Sequence, residues 1–225
     1  MRIKRRSLPS RPLRAAALCI ALTAAAATSQ AQGGGQGSTI AMQGNGKGAT
    51  ACASCHGAHG EGNPAAGFPR LAGVSAPYIE SQLALFADGQ RQNPVMQPIA
   101  KALSEAERTA VGHYFSDLPF PPPAAKDESP TPAQTGAWLA ARGRWADGLP
   151  ACVQCHGPGG AGVGSAFPPL AGQSAAYIAA QLHAFKSGAR PGGPMNLMKV
   201  VASKLSDTDI SAVADYYGST DGGRK

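Results

Sequence analysis

Two copies of one pentapeptide, Cys52-Ala-Ser-Cys55-His56 and Cys152-Val-Gln-Cys155-His156, stand 100 residues apart and constrain this chain more than any other feature. CxxCH is the attachment pattern of a c-type haem. Two thiols at that spacing add across the two vinyl groups on one porphyrin edge, and the next residue sets an imidazole beneath the iron. A single CxxCH also suits a redox dithiol or half of a zinc site. Two copies, each followed by glycine within matching sequence, favour two haems. The chain has five cysteines, and the motifs consume every one except Cys19. No pair remains for a disulfide, so the expected scaffold is not a disulfide-stapled one even in an oxidising compartment.

The N-terminus reads as an export signal covering residues 1–31. Arg2, Lys4, Arg5, Arg6, Arg11 and Arg14 form a basic start without an acidic residue. The apolar run Ala15 to Ala27 follows, and Ser29-Gln30-Ala31 offers a small-x-small cleavage site. A bilayer span needs about 20 apolar residues, so the run is too short for one; a retained N-terminal anchor is the competing reading. Arg5-Arg6 resembles a twin-arginine signal, yet c-type haem is attached after export of an unfolded chain, which favours general secretion. The expected location is the periplasm.

Removing that segment changes the electrostatic reading. The formal charge is +7, but six of the 20 Lys and Arg fall within it, leaving 14 against 13 Asp and Glu. A strongly basic pI would suggest nucleic acid; a near-neutral mature chain does not. The remaining charge is uneven. Residues 32–120 hold five basic and six acidic side chains, residues 133–225 eight and five.

The body of the chain is a tandem repeat. Phe68 to Arg91 reads FPRLAGVSAPYIESQLALFADGQR, and Phe167 to Arg190 reads FPPLAGQSAAYIAAQLHAFKSGAR. The offset is 99 here and 100 at the haem motifs, so the loop between loses one residue in the second copy. Pro121, Pro122, Pro123, Pro130 and Pro132 mark a proline-rich connector. The expected organisation is residues 32–120, a linker over 121–133, and residues 134–225. A unit of roughly 90 residues has a marginal core, and a buried haem adds the missing apolar volume.

Periodicity points to helices. Ile79, Leu83 and Phe86, and again Ile178, Leu182 and Phe185, recur at i, i+4, i+7. Ser104 with Glu107, and Ser206 with Asp209, read as capping boxes opening a last helix. Val111, Tyr114 and Leu118 are its expected apolar face in one copy, Ile210, Val213 and Tyr217 in the other. Alternating strand patterns are missing, so the fold class is all-α.

Duplicated CxxCH units, each with an FPxLAG-type loop and a Met ahead of a Leu-Ser-started helix, resemble the dihaem class I cytochromes c of the cytochrome c4 type. The resemblance covers nearly all of the mature chain. It implies two tandem class I cytochrome c domains, each wrapped around one covalently attached haem, with neighbouring haems that pass electrons. It also implies that the carbonyls of Pro69 and Pro168 accept a hydrogen bond from the proximal imidazole, a contact that orients the ring.

The residue filling the sixth iron position separates a carrier from an enzyme. A thioether there raises the potential and closes the iron to small ligands. Met96 is the one methionine after His56 in the first copy. The second copy offers Met195 and Met198. Counting forward from Arg91 and Arg190 selects Met195, whereas counting back from Leu103 and Leu205 selects Met198. The pattern M-x-x-(I/V)-A-x-x-L-S runs into the helix without a gap, and in the family the ligand sits at that distance. Expected iron ligands are therefore His56 with Met96 and His156 with Met198; Cys52, Cys55, Cys152 and Cys155 are the covalent anchors of two haem c groups. Arg91 and Arg190 are candidate partners of the propionates, or else solvated surface residues. Tyr78 and Tyr177 are expected beside the haem. His59, His113 and His183 do not recur between copies and read as surface decoration, Met42 as core.

The leading functional expectation is a non-enzymatic periplasmic carrier shuttling electrons between respiratory partners, for example a quinol-oxidising complex and a terminal oxidase. Its alternative is the electron-accepting subunit of a periplasmic dehydrogenase acting on thiosulfate, sulfite or an alcohol. A dihaem enzyme, a peroxidase or a thiosulfate-oxidising one, needs a releasable sixth ligand, and two well-placed methionines argue against it. The partners are redox proteins and not nucleic acid, and no membrane span is expected in the mature chain.

Overall fold

The computed structural model describes residues 35–120 and 130–218. The export-signal reading at 1–31, the linker over 121–129 and the C-terminal residues from 219 lie outside them. Five helices occupy the first half: α1 over 35–43, α2 (Ala53–His56), α3 (Ala76–Ala87), α4 (Met96–Lys101) and α5 (Glu105–Asp117). The second half repeats them as α6 (Thr135–Ala141), α7 (Val153–His156), α8 (Ala175–Ser187), α9 (Leu197–Ser203) and α10 (Asp207–Gly218). Among the described residues, β-structure is limited to isolated bridges such as Asn63 with Phe68 and Val163 with Phe167. The fold is all-α.

Each half builds its own core by crossing its first and last helices at a glycine. A Cβ on Gly37 would stand 2.1 Å from the Ala110 carbonyl oxygen, and one on Gly136 2.1 Å from that of Ala212. Only hydrogen at these positions lets the backbones touch. The helix α3 lies across α5, and α8 across α10. Their i, i+4, i+7 rows are buried as the sequence predicts: Ile79, Leu83 and Phe86 in one core, Ile178, Leu182 and Phe185 in the other half.

Both capping boxes form. In α5 the Glu107 backbone N–H donates to Ser104 Oγ, while the Ser104 N–H donates to the Glu107 carboxylate at 2.8 Å. In α10 the Asp209 N–H donates to Ser206 Oγ at 3.1 Å, and the Ser206 N–H to the Asp209 carboxylate at 2.9 Å. These caps fix where the last helices start and hence which face they bury. The α10 face of Ile210, Val213 and Tyr217 is as expected. In α5 the buried pair is Val111 and Phe115, so the expected row of Val111, Tyr114 and Leu118 is corrected. Tyr114 and Leu118 only flank the core, because the phase that buries Glu107 and Val111 carries Phe115 inward. Met42 is corrected too. It is 43 % exposed, since α1 turns Ile40 and Ala41 to the core and Met42 away from it.

Candidate haem-binding site

Each CxxCH segment is a single helical turn that ends in a buried imidazole. His56 and His156 are each 6 % exposed. Gly57 and Gly157, at φ +84° and +76°, turn the chain out of that helix. A loop then returns it: the Gly62 and Gly162 N–H groups donate to the His56 and His156 carbonyls at 2.7 Å. The Leu71 and Ala72 N–H groups close on the Gly60 carbonyl, as Leu170 and Ala171 do on that of Gly160. The residue missing from the second loop is lost at its tip, where Asn63 caps a short 3-10 turn, Pro64–Ala66, in the first copy. The base of the loop is unaffected.

That return brings the prolines to the imidazoles. His56 Nδ1–H donates to the Pro69 carbonyl at 2.9 Å, and His156 Nδ1–H to the Pro168 carbonyl at 2.8 Å. A carbonyl only accepts, so each ring must carry its proton on Nδ1 and keep the Nε2 lone pair free. Burial pushes both imidazoles below their ordinary pKa, against the opposing pull of the proline carbonyls. A neutral imidazole with an outward Nε2 lone pair is an iron ligand in waiting.

The cysteines do not resemble those of a redox dithiol. Burial pushes Cys52 and Cys152 up to about 11, so both stay protonated at neutral pH, whereas a reactive CxxC thiol is pulled down. Cys52, Cys55, Cys152 and Cys155 are free thiols, and no cluster of three metal-ligating side chains occurs among the described residues. The donor set of two adjacent thiols and one neutral imidazole fits covalent haem attachment and does not fit a closed zinc site.

On the methionine side the two copies differ. Met96 opens α4, held by its N–H donating to Asn93 Oδ1 at 2.9 Å. It packs against the first core, as Cys52 does. Met198 lies in the first turn of α9 and packs against the second core, as Cys152 does. Met195 is 85 % exposed. It sits with Asn196 in left-handed backbone, φ +51° and +60°, where the three extra residues of this loop are accommodated.

Arg91 and Arg190 are not solvated surface residues; each is 6 % exposed. They meet across the junction of the two halves in a nearly two-fold arrangement. Arg91 donates to Gln82 (2.8 Å) in its own half and to the Tyr177 hydroxyl (2.8 Å) and Gln181 (2.7 Å) in the other. Arg190 donates to Gln181 (2.9 Å), and across the junction to the Tyr78 hydroxyl (2.5 Å) and Gln82 (2.9 Å). Each guanidinium also stacks at 4.4 Å on a phenylalanine of its own half, Phe86 or Phe185. Burial lowers the Arg91 pKa, and the nearby Arg190 lowers it further against the pull of Tyr177. Neither arginine forms an ion pair among the described residues.

Sequence reasoning missed the remainder of this junction. Arg70, buried, stacks at 3.6 Å on Phe120 and donates to the carbonyls of Ala72 and, at 3.0 Å, Ala171. Burial takes its pKa down to about 10. Gln173 closes the contact, accepting from the Arg70 N–H at 3.0 Å and donating to its carbonyl at 3.1 Å. One signal for Tyr78, Gln82, Tyr177 and Gln181 was available: polar residues repeated at i, i+4 on an otherwise apolar helix face. Arg70 and Gln173 instead mark positions where the copies differ, facing Pro169 and Val74 in the alignment.

The cytochrome c family model matches residues 41–119 and 140–221. The thiosulfate dehydrogenase electron acceptor of Stutzerimonas stutzeri (strain A1501) is 52 % identical over 169 residues, 75 % of this chain and 78 % of that protein. Among solved structures, thiosulfate dehydrogenase (TsdBA) from Marichromatium purpuratum superposes with a TM-score of 0.73 at 45 % identity, over 81 % of this chain and 39 % of that one. This chain thus spans about two fifths of that protein's length. Reduced recombinant cytochrome c4 from Pseudomonas stutzeri superposes with a TM-score of 0.68 at 32 % identity, over 82 % of this chain and 96 % of that one.

Proposed function

Because this chain belongs to the cytochrome c family as an electron carrier with two covalently bound haem c groups, we propose that it serves in the periplasm as the electron acceptor of a thiosulfate-oxidising dehydrogenase. The observation that carries the choice of partner is the 52 % identity to a thiosulfate dehydrogenase electron acceptor, against 37 % to a cytochrome c4 over a similar length. A general shuttle between a quinol-oxidising complex and a terminal oxidase uses the same haem chemistry and differs only in partner.

The haem supplies the one-electron ferric–ferrous couple; the protein anchors, orients and closes it. Cys52 with Cys55, and Cys152 with Cys155, are the thioether anchors. His56 and His156 are the proximal ligands, fixed in tautomer and ring orientation by Pro69 and Pro168. Met96 and Met198 are the methionines that would complete the hold on each iron, and thioethers bound there would leave no open position for peroxide or another small molecule, as a carrier rather than an enzyme requires. Met198 is preferred to Met195 because it packs against the second core, the one Cys152 also packs against, while Met195 points to solvent.

Arg91 and Arg190 hold propionates. Two buried guanidiniums facing each other among neutral oxygens are costly unless an anion joins them. Haem propionates would supply such carboxylates, and Arg91 and Arg190 are the residues that would hold them. The linker, expected over 121–133 between domains at 32–120 and 134–225, holds them together. No helix among the described residues is long and apolar enough to cross a membrane.

Anaerobic mixing tests the reading. The oxidised holoprotein should be reduced at both haems by thiosulfate with catalytic thiosulfate dehydrogenase, and not by thiosulfate alone. Reduction no faster than that of an unrelated His/Met cytochrome would remove the assigned partner. Turnover of thiosulfate without the dehydrogenase would make the protein an enzyme.

A further inference from the structure

Duplication supplies an internal control: where two like domains differ on the outside, the difference concerns what meets that outside and not the haem site. The methionine sides differ most in charge. Residues 173–206 hold four Lys and Arg and no Asp or Glu, whereas the corresponding residues 74–104 hold two of each. Arg190 is buried at the junction, so the outward charges are Lys186, Lys199 and Lys204. The carboxylates bordering this face are already taken, Asp147 by Arg144 at 2.5 Å and Asp207 by Lys186 at 3.7 Å and His183 at 3.9 Å. Among the described residues that leaves Lys199 and Lys204 without a carboxylate. Gln97 and Ala102 stand at their places in the first copy.

Apolar side chains stand out among these charges. Exposed Met195 precedes α9, held in left-handed backbone. Val200 is exposed on the helix itself, and Lys204 follows it four residues later on the same face. Lys204 abuts the turn before the haem motif: its ammonium donates to the Asp147 carbonyl at 2.7 Å, and its carbonyl accepts from Arg144 at 3.1 Å. On that turn Trp145 is 61 % exposed. The N–H of Arg144 closes the turn on the Leu149 carbonyl, where Asn45 closes on Ala49 in the first copy, so the second turn is one residue longer. Only the longer one carries an aromatic. Of large apolar side chains, the first copy's methionine side exposes Val95 alone.

We propose that the strip from Met195 through Val200 to Trp145, with Lys199 and Lys204, is the docking surface for the protein that reduces this carrier, and that the partner meets it with an acidic rim around an apolar patch. This rests on the reading of a thiosulfate-oxidising dehydrogenase as that partner. A tryptophan in water and a methionine held out in left-handed backbone are unfavourable alone and gain by meeting an apolar surface. The uncompensated lysines around them steer an acidic surface into register. Lys199 and Val200 directly follow Met198, so the partner sits over the helix that carries the second domain's methionine and leaves the first domain clear.

The test follows reduction of the full-length holoprotein by thiosulfate dehydrogenase premixed with thiosulfate, in stopped flow across a salt series, with binding measured in parallel. Lys199→Glu should slow the second-order rate about tenfold at low salt, a gap that closes as salt rises. Lys199→Arg should restore the rate. Lys101→Glu makes the same charge change on the first domain and should slow it less than about twofold. Truncating Trp145 and Met195 together to alanine should weaken binding at least about fivefold at every salt concentration. Each variant should keep the wild-type haem band and midpoint potentials, which separates docking from damage to the site. Equal slowing by K199E and K101E, or wild-type binding by the double truncation, would overturn the proposal. Fast wild-type reduction shared by every variant removes the docking surface alone. A dehydrogenase that reduces the wild type no faster than an unrelated cytochrome removes the partner, and the docking surface with it.

Discussion

The choice between Met198 and Met195 as the second haem's sixth ligand can be decided by truncating each in turn. Met195 is 85 % exposed, so truncation to alanine returns only about a sixth of a methionine's burial. At about 1.5–3 kcal/mol for full burial that is ~0.4 kcal/mol, within the usual range for surface changes. Alanine occupies the left-handed backbone at position 195, φ +51°, no worse than methionine does. Met198 is partly buried and packs against the core cluster of the second half. Met198→Ala should cost about 2–3 kcal/mol from packing, at the low end of core methionine truncations, before the loss of an iron bond is counted. For a domain of this size, about 2 kcal/mol corresponds to a fall of roughly 8–16 °C in Tm. The assay is thermal unfolding of the holoprotein followed at the haem band, paired with carbon monoxide titration of the reduced form. M198A should bind one carbon monoxide per protein and melt early, while M195A should bind none and melt with the wild type. One equivalent bound by M195A and none by M198A would refute the assignment, and with it the inference of ligation from burial.

Other outcomes follow from the same geometry. Gly160→Ala combines φ +79° with a Cβ 2.5 Å from the Tyr217 ring; strain and overpacking together should cost about 2–5 kcal/mol, read as loss of haem incorporation. Gln173→Ala removes both bonds to the Arg70 backbone; calorimetry should show the two domains melting in separate transitions, and an unchanged single transition would mean that this contact does not couple them. Asp209 is buried, which alone would raise its pKa, but Arg144 and Ser206 outweigh burial and hold it below the ordinary carboxylate value. A depressed folded pKa contributes stability that is full above about pH 4, the unfolded value, and is lost as pH falls through the folded one. Asp209→Asn should therefore lower neutral-pH stability of the second domain by about 1–2 kcal/mol and flatten its acid limb. A denaturant series across pH measures both.

Local sequence settled the elements and the anchors. The i, i+4, i+7 rows of α3 and α8 and the Ser104 and Ser206 capping boxes depend on contacts within four residues, so the sequence states them directly. The CxxCH motif is likewise a local device, whose haem chemistry requires its spacing and no tertiary partner. Its partner Pro69 or Pro168 is 13 or 12 residues away, and is legible only through the family resemblance. The phase of α5 is not legible from hydropathy, because Tyr114 and Phe115 are adjacent aromatics that it does not rank. The cap and the crossing at Gly37 do.

What the chain alone could not decide is where its charges go. Arg91 and Arg190 look like ordinary ends of amphipathic helices, and their sequence environment is polar. Folding turns them inward at the junction because each finds a tyrosine and a glutamine from the opposite half, contacts spanning 86 to 112 residues. Burial of a charge is a property of two surfaces meeting, and one helix's periodicity carries no information about the other. The same holds for Met195 against Met198, where two counting anchors disagreed and packing separated them. Sequence determined that this protein has two like haem domains; tertiary structure decided how they face each other and where they differ.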